Sequence, residues 1–498
     1  MGVIRKQSIQ TSILSYLGVG LGYINVVLLF PKFFAPEEFG LTRVLIAVVG
    51  ISAQFALFGL TNSIIRFLPR FREGDHENHH GFLGLNLKWG IIGVFVVGLV
   101  LFFAKSWITE YKQGTSSLFA DYYVLLFPFL LFEVFNQLLA SYTRALYHSV
   151  VNVFFREVFL RVTTTLIILL FYFGFLSISQ FMWLFVLQQG IGTLGMLFYL
   201  KTIGHLRLKI DRGFLTKEIR KEIFHYRSYT MLTNVSAIML MSVDVVMISY
   251  MMGLDNTAFY TVAFYIVALI NIPRNAINNI ALPMVSDAWK RDDRAVIQVV
   301  YAKTSINQLL IGVLIFAGIW ANQLNIFHML PDDYADGKWV LFLVGIGKIM
   351  DVGFGINSGI ISTSSVFRFD TYANLILLVV TIVLNLIFIP AYGIAGAAGA
   401  TAISLASFNI AKYIFLKAKF GFDPFTWKSI AVVFLGIASY LVSCIMPEQS
   451  NFILDIVLRS GIVLLVFLPL AFVLKLSEDV NQFVQIVWQQ LASSMRKS

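Results

Sequence analysis

The stretch FLGLNLKWGIIGVFVVGLVLFFA, residues 82–104, contains a single charged residue, Lys88. A helix needs roughly 20 apolar residues to cross a bilayer, so this stretch predicts a membrane-spanning helix. The rest of the chain has the same character. Of its 498 residues 58% are hydrophobic and only 13% are charged, whereas soluble domains contain about 25% charged residues. The sequence therefore predicts an all-α polytopic membrane protein.

Other apolar stretches of similar length bring the prediction to about 14 transmembrane helices. The predicted spans are 10–32, 41–65, 82–104, 121–143, 156–175, 180–200, 228–251, 257–284, 303–321, 338–362, 370–390, 395–416, 427–446 and 452–474. An even number of spans places the N and C termini on the same side of the membrane.

The basic residues indicate which side that is. With the N terminus inside, 29 of the 37 Lys and Arg lie in inner segments and the adjoining helix ends, five lie in outer segments, and three lie within spans. Cytoplasmic loops of membrane proteins carry an excess of Lys and Arg. We therefore expect both termini to be cytoplasmic, and the net charge of +10 requires no nucleic acid partner.

Two outer turns repeat along the chain. FFAPEEFGLTRVL from residue 33 is similar to MMGLDNTAFYTVAF from residue 251, an offset of 218 residues, and FYFGFLS around Gly174 corresponds to FIPAYGIAG around Pro390 at a similar offset. This predicts an N-lobe in residues 1–200 (spans 1–6) and a parallel C-lobe in residues 228–416 (spans 7–12). Residues 417–474 then hold two extra C-terminal helices.

Two further segments are amphipathic. In the connector 201–227, apolar residues recur at helical spacing at Leu215, Ile219, Ile223 and Tyr226. The C-terminal tail, 475–498, repeats the pattern at Val480, Phe483, Val484, Val487, Trp488 and Leu491. Each segment is predicted to form a cytoplasmic helix that lies on the membrane surface or packs on the protein's own inner loops.

Three segments carry a family resemblance. LNLIFIPAYGIAGAAGATAIS (384–404), SVDVVMISYMMGLDNTAFYTVA (242–263) and FFAPEEFGL (33–41) are similar to the polysaccharide flippases of the multidrug/oligosaccharidyl-lipid/polysaccharide (MOP) superfamily. The resemblance extends over essentially the whole chain. It implies two six-helix lobes around a central cavity, and export of undecaprenyl-pyrophosphate-linked oligosaccharides by alternating access.

The resemblance also implies the setting of the protein. The expected location is the bacterial cytoplasmic (inner) membrane, in cell-surface polysaccharide assembly such as that of O-antigen, lipopolysaccharide or exopolysaccharide. The expected partners are the lipid-linked oligosaccharide and membrane lipids, with other polysaccharide-assembly proteins as further candidates. The protein is expected to function as a monomer, and it is not expected to be an enzyme.

One apolar span contains a polar stripe. In INIPRNAINNIALP (270–283), Arg274 shares a helix face with four asparagines; they are Asn271, Asn275, Asn278 and Asn279. An Arg at a helix centre costs about 2.5–3.5 kcal/mol on insertion scales, so it usually faces a cavity or a partner. The functional interpretation is a cavity wall in which Arg274 binds phosphate and the amides bind sugar hydroxyls. The structural alternative is a buried network that locks this span to a neighbour.

Four more intramembrane charges are candidates. Lys348 and Asp351 share a face of span 10 and are predicted either to contribute to the substrate site or to neutralise each other at i and i+3. Asp244 and Glu133 are candidates for coupling to an H⁺ or Na⁺ gradient, with structural pairing as the alternative. No other cofactor is expected.

Three local patterns are interpreted as structural. HENHH (76–80) matches the H-E-x-x-H zinc motif, but no third ligand is evident and the motif lies in a short connector, so we expect a solvated polar loop and no metal site. Asp455 and Arg459 form a predicted i, i+4 pair. The single Cys444 excludes an internal disulfide.

Other functions remain open on the sequence alone. A drug or cation antiporter of the same superfamily is one alternative, although Arg274 and Lys348 argue against a cationic substrate. A peptidoglycan-precursor flippase is a closer alternative, which charge does not distinguish. A membrane glycosyltransferase or polymerase is a third, but the longest outer loop, 322–337, leaves little room for an active site.

Overall fold

The computed structural model describes residues 2–73, 75, 79–110, 117–206, 208–209, 211 and 213–482. All regular secondary structure in this part is helical. The α-helices are α1 Gly2–Tyr23, α2 Phe30–Phe33, α3 Pro36–Leu57, α4 Leu60–Arg72, α5 Phe82–Glu110, α6 Ser117–Asp121, α7 Leu126–Ala145, α8 Ser149–Val153, α9 Leu160–Tyr172, α10 Ile178–Thr202, α11 Lys217–Met252, α12 Leu254–Val267, α13 Asn271–Lys290, α14 Arg294–Ala321, α15 Gln323–His328, α16 Lys338–Gly353, α17 Asn357–Thr363, α18 Arg368–Phe420, α19 Trp427–Cys444 and α20 Phe452–Val473. Two π-helical segments, Ile24–Leu29 and Phe154–Phe159, connect α1 to α2 and α8 to α9.

The described helices confirm a multi-pass membrane protein. Eleven of them are long and apolar enough to cross a bilayer, and the bent pair Asp332–Gly353 and Asn357–Thr363, which meet at 49°, would make a twelfth. Two predicted spans, 370–390 and 395–416, fall within the single helix α18, whose backbone leaves helical geometry at Gly393 (φ 63°, ψ −143°). The predicted span 156–175 begins inside the π-helical segment before α9. The count of 14 and the side on which the termini lie therefore stay predictions.

Residues 82–104, predicted to span the membrane, form the greater part of α5. Its apolar side chains are largely exposed from the protein; Phe95, Phe103 and Trp107 are 65%, 75% and 72% exposed. Contiguous exposed apolar surface of this extent is costly in water, and it matches a helix whose outer face contacts lipid.

The chain divides into two compact units, unit 1 from Met1 to Thr261 and unit 2 from Val262 to Ser498. This division places α11 in unit 1, where close approaches fix it. An added Cβ at Gly59 would lie 2.4 Å from the carbonyl oxygen of Arg227, and the amide of Asn62 donates to Asn234 Oδ1 at 3.3 Å. The predicted lobes, 1–200 and 228–416, were defined from a sequence repeat, whereas the two units are defined by packing. The lobes therefore stay a prediction.

The C-terminal part of the amphipathic connector forms the first turns of α11, which begins at Lys217, and Leu215 lies just before it. Leu215, Ile219 and Ile223 are buried in one apolar cluster with residues of α4, α5 and α7. Their face is thus covered by the protein itself, as in the second of the two predicted arrangements. In the C-terminal tail the structure describes Val480, but positions from 483 onward lie outside the described residues.

Two turns follow the predicted repeat offset. Helix α3 begins at Pro36 and α12 begins at Leu254, which are 218 residues apart. The turn at Gly174 has φ 77°, and the break at Gly393 has φ 63°. A positive φ of this size favours glycine, which explains the residue type at both turns.

Helix α14 is the centre of unit 2. Its residues Leu309, Leu310 and Val313 form an apolar cluster with α19 and α20. Helix α19 approaches closely because Gly436 has no side chain; an added Cβ there would lie 2.2 Å from Val313 Cγ1. The two extra C-terminal helices therefore pack on α14.

Candidate functional site

The polar stripe lies on α13, which begins at Asn271 after a short 3₁₀ segment, Ala268–Ile270. Pro273 is tolerated there because the first turn of a helix needs no amide donor. Asn271, Arg274 and Asn278 are half-buried, whereas Asn275 and Asn279 are exposed. As predicted, α13 presents one polar face on a membrane helix.

Arg274 is held by a carboxylate on α16. Its Nη1 lies 2.8 Å from Asp351 Oδ2, and its Nη2 donates to Asp351 Oδ1 at 3.3 Å. The side chains are 25% and 10% exposed. This two-pronged geometry matches the planar guanidinium to the carboxylate. Asp351 therefore pairs with Arg274, from which it is separated by 77 residues. The Nζ of Lys348 lies 5.6 Å from the centre of the Phe264 ring.

The pair continues into a chain of amides that the sequence analysis missed. Asn409 of α18 donates to Asp351 Oδ1 at 3.0 Å and accepts from Asn357 of α17 at 2.8 Å. Both asparagines are 2% exposed. Their only sequence signal is an isolated amide within an apolar helix. The chain joins α13, α16, α17 and α18, which is the arrangement expected of a structural network.

A second buried cation lies next to this chain. Lys412, 1% exposed, forms an ion pair with Asp370 and donates to Ser358 Oγ. The sequence offered a hint, since Asn409 and Lys412 are three residues apart and share a face of α18. The charge of Lys412 is thus matched within unit 2, and it adds no free cation to the α13 face.

Several buried polar atoms on α13 and the adjacent α14 have no hydrogen-bond partner among the described residues. Among the described residues, Asn271 Oδ1, Arg274 Nε and Gln308 Oε1 are buried without one. The amide of Gln308 donates to Asn278 Oδ1 at 2.8 Å. Leaving a buried polar atom unpaired costs about 1–3 kcal/mol. The face therefore retains donor and acceptor capacity that packing alone does not use.

The coupling candidates lie in unit 1, each with a polar neighbour. Asp244 is 7% exposed and accepts a hydrogen bond from Tyr260 at 2.8 Å. Glu133 accepts from Gln137 at 2.6 Å, and Gln137 in turn accepts from Gln54 at 3.0 Å. Neither contact decides between ion coupling and structural pairing.

The HENHH segment is more structured than a solvated loop. His76 lies outside the described residues, but His79 is fully buried, and its Nδ1 lies 2.7 Å from the hydroxyl of Tyr142. His80 Nδ1 lies 3.0 Å from Asp211 Oδ2, and this contact, with the amide of Gly213, holds the pKa of Asp211 below its usual value. The expectation of a solvated loop was therefore wrong for His79, because its ring fills a buried site.

Two other local predictions can be compared with the structure. The described residues contain no group of three His, Cys, Asp or Glu side chains placed to hold a metal ion. The predicted pair in α20 is confirmed, since Arg459 Nε lies 2.6 Å from Asp455 Oδ2 and both side chains are buried.

Comparison with known proteins defines the class. The fold is similar to that of the lipid II flippase MurJ in an inward closed conformation, with a TM-score of 0.75 and 16% identity over 94% of this chain and 99% of that one. It is also similar to an inward-facing multidrug resistance MATE family transporter of the MOP superfamily, with a TM-score of 0.62 and 16% identity over 82% and 94% of the two chains. The fold is thus of the MOP type.

The family follows from the sequence match. Residues 4–289 match the family described as polysaccharide biosynthesis protein, and since this is more than half of the chain, the protein belongs to that family. A Haloferax volcanii protein described as a probable low-salt glycan biosynthesis flippase, Agl15, is 20% identical over 449 residues, which cover 87% of this chain and 88% of that protein. The predicted resemblance to the polysaccharide branch of the superfamily is confirmed.

Proposed function

We propose that the protein is a transporter, not an enzyme, that flips undecaprenyl-pyrophosphate-linked oligosaccharides across the bacterial cytoplasmic membrane for cell-surface polysaccharide assembly. Membership of the polysaccharide biosynthesis family supports a role in glycan assembly. The likeness to a probable glycan biosynthesis flippase supports transport of a lipid-linked glycan. The problem to be solved is physical: a sugar and pyrophosphate head group loses its hydration in hydrocarbon and cannot cross it unaided.

The observation that carries the proposal is the polar face of α13. Arg274 is partly exposed there, and the exposed amides of Asn275 and Asn279 extend the face along the helix. Asn amides offer two donors and an acceptor to sugar hydroxyls. The guanidinium of Arg274 offers a fork that fits phosphate as well as carboxylate. This face can thus replace the water that the head group loses.

Asp351 gives the Arg274 site a resting state. Without substrate, the guanidinium is neutralised by the carboxylate at 2.8 Å. A pyrophosphate carries more negative charge than a carboxylate, so it can compete for the same donors, with Lys348 as a second cation on α16. Arg274 would exchange between Asp351 and the substrate. Because Asp351 competes for the guanidinium, the head group would bind firmly enough to enter the site and still be released from it during alternating access.

Ion coupling is a second part of the proposal. Asp244 or Glu133 would exchange H⁺ or Na⁺ to drive the transport cycle. Asp244→Asn keeps the shape and the acceptor oxygen for Tyr260 but removes the titratable charge. We expect this variant to flip substrate without a response to an imposed pH or Na⁺ gradient; a gradient response equal to that of the unmodified protein would exclude Asp244.

The proposal is tested in proteoliposomes with a fluorescent undecaprenyl-pyrophosphate oligosaccharide. Arg274→Ala should abolish or greatly reduce flipping, and Arg274→Lys, which keeps the cation but loses the fork, should retain part of it. Arg291→Ala, at the exposed end of α13, is the matched control and should flip normally. Normal flipping by a folded Arg274→Ala variant would exclude Arg274 as the phosphate anchor.

The same assay separates the alternatives. A peptidoglycan-precursor flippase would move a lipid carrying a peptide-bearing disaccharide in preference to the oligosaccharide, and Arg274 would serve both because the pyrophosphate is shared. A drug or cation antiporter would move a cationic amphiphile instead. A cationic substrate conflicts with the positive charge of Lys348 and Arg274, so we expect no transport of cations.

A further inference from the structure

A cleft opens between α5 and the first turns of α11, wholly within unit 1. Its volume is about 560 Å³. Among the described residues, its lining includes three cations and several apolar side chains but no carboxylate. The lining residues include Lys88, Trp89, Ile92, Arg220, Phe224 and Arg227.

Arg227 is the deepest of the three cations, only 5% exposed. Its Nη2 donates to Asn86 Oδ1 at 2.7 Å, and its Nε donates to Ser63 Oγ at 3.2 Å. Both partners are neutral, and in the described part of the chain no carboxylate forms an ion pair with Arg227. Buried charges are normally paired, because an uncompensated charge in a low-dielectric site is strongly unfavourable. The wall of the cleft thus holds a positive charge to which the described residues supply no paired carboxylate.

The other lining residues are of two kinds, cationic and apolar. Lys88 and Arg220 are exposed and lie on the two helices that form the cleft. Trp89, Ile92 and Phe224 are also exposed, at 48%, 40% and 61%. Tryptophan is enriched where hydrocarbon meets the polar head groups. The lining therefore offers positive charge to an anion and apolar surface to a hydrocarbon chain.

We propose that this cleft binds an anionic phospholipid. The phosphate would lie among Lys88, Arg220 and Arg227 and supply the counter-charge that Arg227 lacks, while an acyl chain would lie along Trp89, Ile92 and Phe224. Free phosphate would leave the apolar wall exposed, and a zwitterionic lipid would bring its own cation towards three others. The proposal does not depend on the transported substrate, since the cleft shares no residue with the α13 face.

The test uses native mass spectrometry of the full-length protein, titrated separately with dioleoyl phosphatidylglycerol, dioleoyl phosphatidylcholine and inorganic phosphate. The variant is Lys88→Gln with Arg220→Gln, both exposed, which leaves the buried Arg227 and its hydrogen bonds intact. The matched control is Lys217→Gln with Lys221→Gln, which removes the same charge from exposed positions on α11 outside the cleft.

We expect the unmodified protein to prefer phosphatidylglycerol over phosphatidylcholine. The cleft variant should lose roughly fivefold in phosphatidylglycerol affinity for each cation, about 25-fold for the two, and the control should stay within about twofold. Equal losses in both variants would show general attraction to basic protein and overturn the proposal. So would equal binding of the two lipids, or displacement of phosphatidylglycerol by an equal concentration of inorganic phosphate.

Discussion

The Arg274–Asp351 pair makes a quantitative prediction about stability. With charge centres about 4 Å apart and an effective dielectric constant of about 20, the Coulomb attraction is about 4 kcal/mol. Solvent reaches a quarter of the Arg274 side chain, and burial of Asp351 opposes the gain. We therefore expect a coupling free energy of about 2 kcal/mol between the two side chains, and a loss of about 2–3 kcal/mol in either single alanine variant, since each strands a partly buried charge.

A double-mutant cycle measures this coupling. Arg274→Ala, Asp351→Ala and the double variant are compared by equilibrium unfolding in mixed micelles. The double variant should be less destabilised than the sum of the two single variants, because it leaves neither charge unpaired. A coupling below about 0.5 kcal/mol would show that the pair contributes no more than an exposed ion pair, and the electrostatic reasoning would then be wrong.

The same variants separate stability from transport. Arg274→Ala loses both the ion pair and the proposed phosphate anchor, whereas Asp351→Ala loses the ion pair and the hydrogen bond from Asn409 but leaves Arg274 free for substrate. At matched stability, Asp351→Ala should still flip the lipid-linked oligosaccharide, and the double variant should not. Wild-type flipping rates in the double variant would refute the anchor role of Arg274, whatever its stability.

Three other predictions concern the rest of the chain. A C-terminal alkaline phosphatase fusion should be inactive and a green fluorescent protein fusion bright, because the Lys and Arg distribution predicts cytoplasmic termini; the opposite pair of signals would reverse the topology. His79→Ala should lower the free energy of unfolding by about 2 kcal/mol, because it removes a buried ring and its hydrogen bond. His225 is exposed, so His225→Ala should have no measurable effect. Equal effects of the two substitutions would contradict a stabilising role for the buried His79 ring. Partial burial acts to raise the pKa of Asp479, but hydrogen bonds from Asn307 and Lys303 outweigh it and leave the pKa below its usual value. Asp479→Asn should therefore slightly lower the melting temperature at pH 7, and the difference from the unmodified protein should disappear as the pH falls below about 4. A difference that does not change with pH would exclude the carboxylate charge as its cause.

Local periodicity predicted contacts and faces correctly where all the residues involved lie on one helix. Asp455 and Arg459 are one turn apart, so their contact requires no knowledge of any other helix. The polar face of α13 was likewise visible from spacing alone. Lys348 and Asp351 show the limit of such reasoning. The carboxylate of Asp351 is held by side chains from α13 and α18, and Lys348 lies next to the Phe264 ring, so both side chains have neighbours from other helices that spacing within span 10 does not show.

The connector 201–227 shows a second limit. Its spacing predicted an apolar face, and the face exists, but periodicity states only that something apolar covers it. The structure buries Ile219 and Ile223 against the protein. Lipid and protein interiors are both apolar, so sequence alone does not distinguish them. Asn409 and Lys412 were missed for a related reason. The role of an isolated amide or amine in a long apolar helix depends on the residues that it contacts, and these are distant in the sequence.

The separation of Arg274 from Asp351 along the chain has a consequence for biogenesis. Ribosomes add about 5–20 residues per second, so the 77 residues between them take roughly 4–15 s to synthesise. During that interval α13 carries an arginine whose entry into lipid costs about 2.5–3.5 kcal/mol and whose counter-ion does not yet exist. This cost favours a delay of α13 in a hydrated part of the insertion machinery until α16 emerges, so that the two helices enter lipid as a pair. Slowing translation between them should increase the fraction of chains that are degraded before assembly.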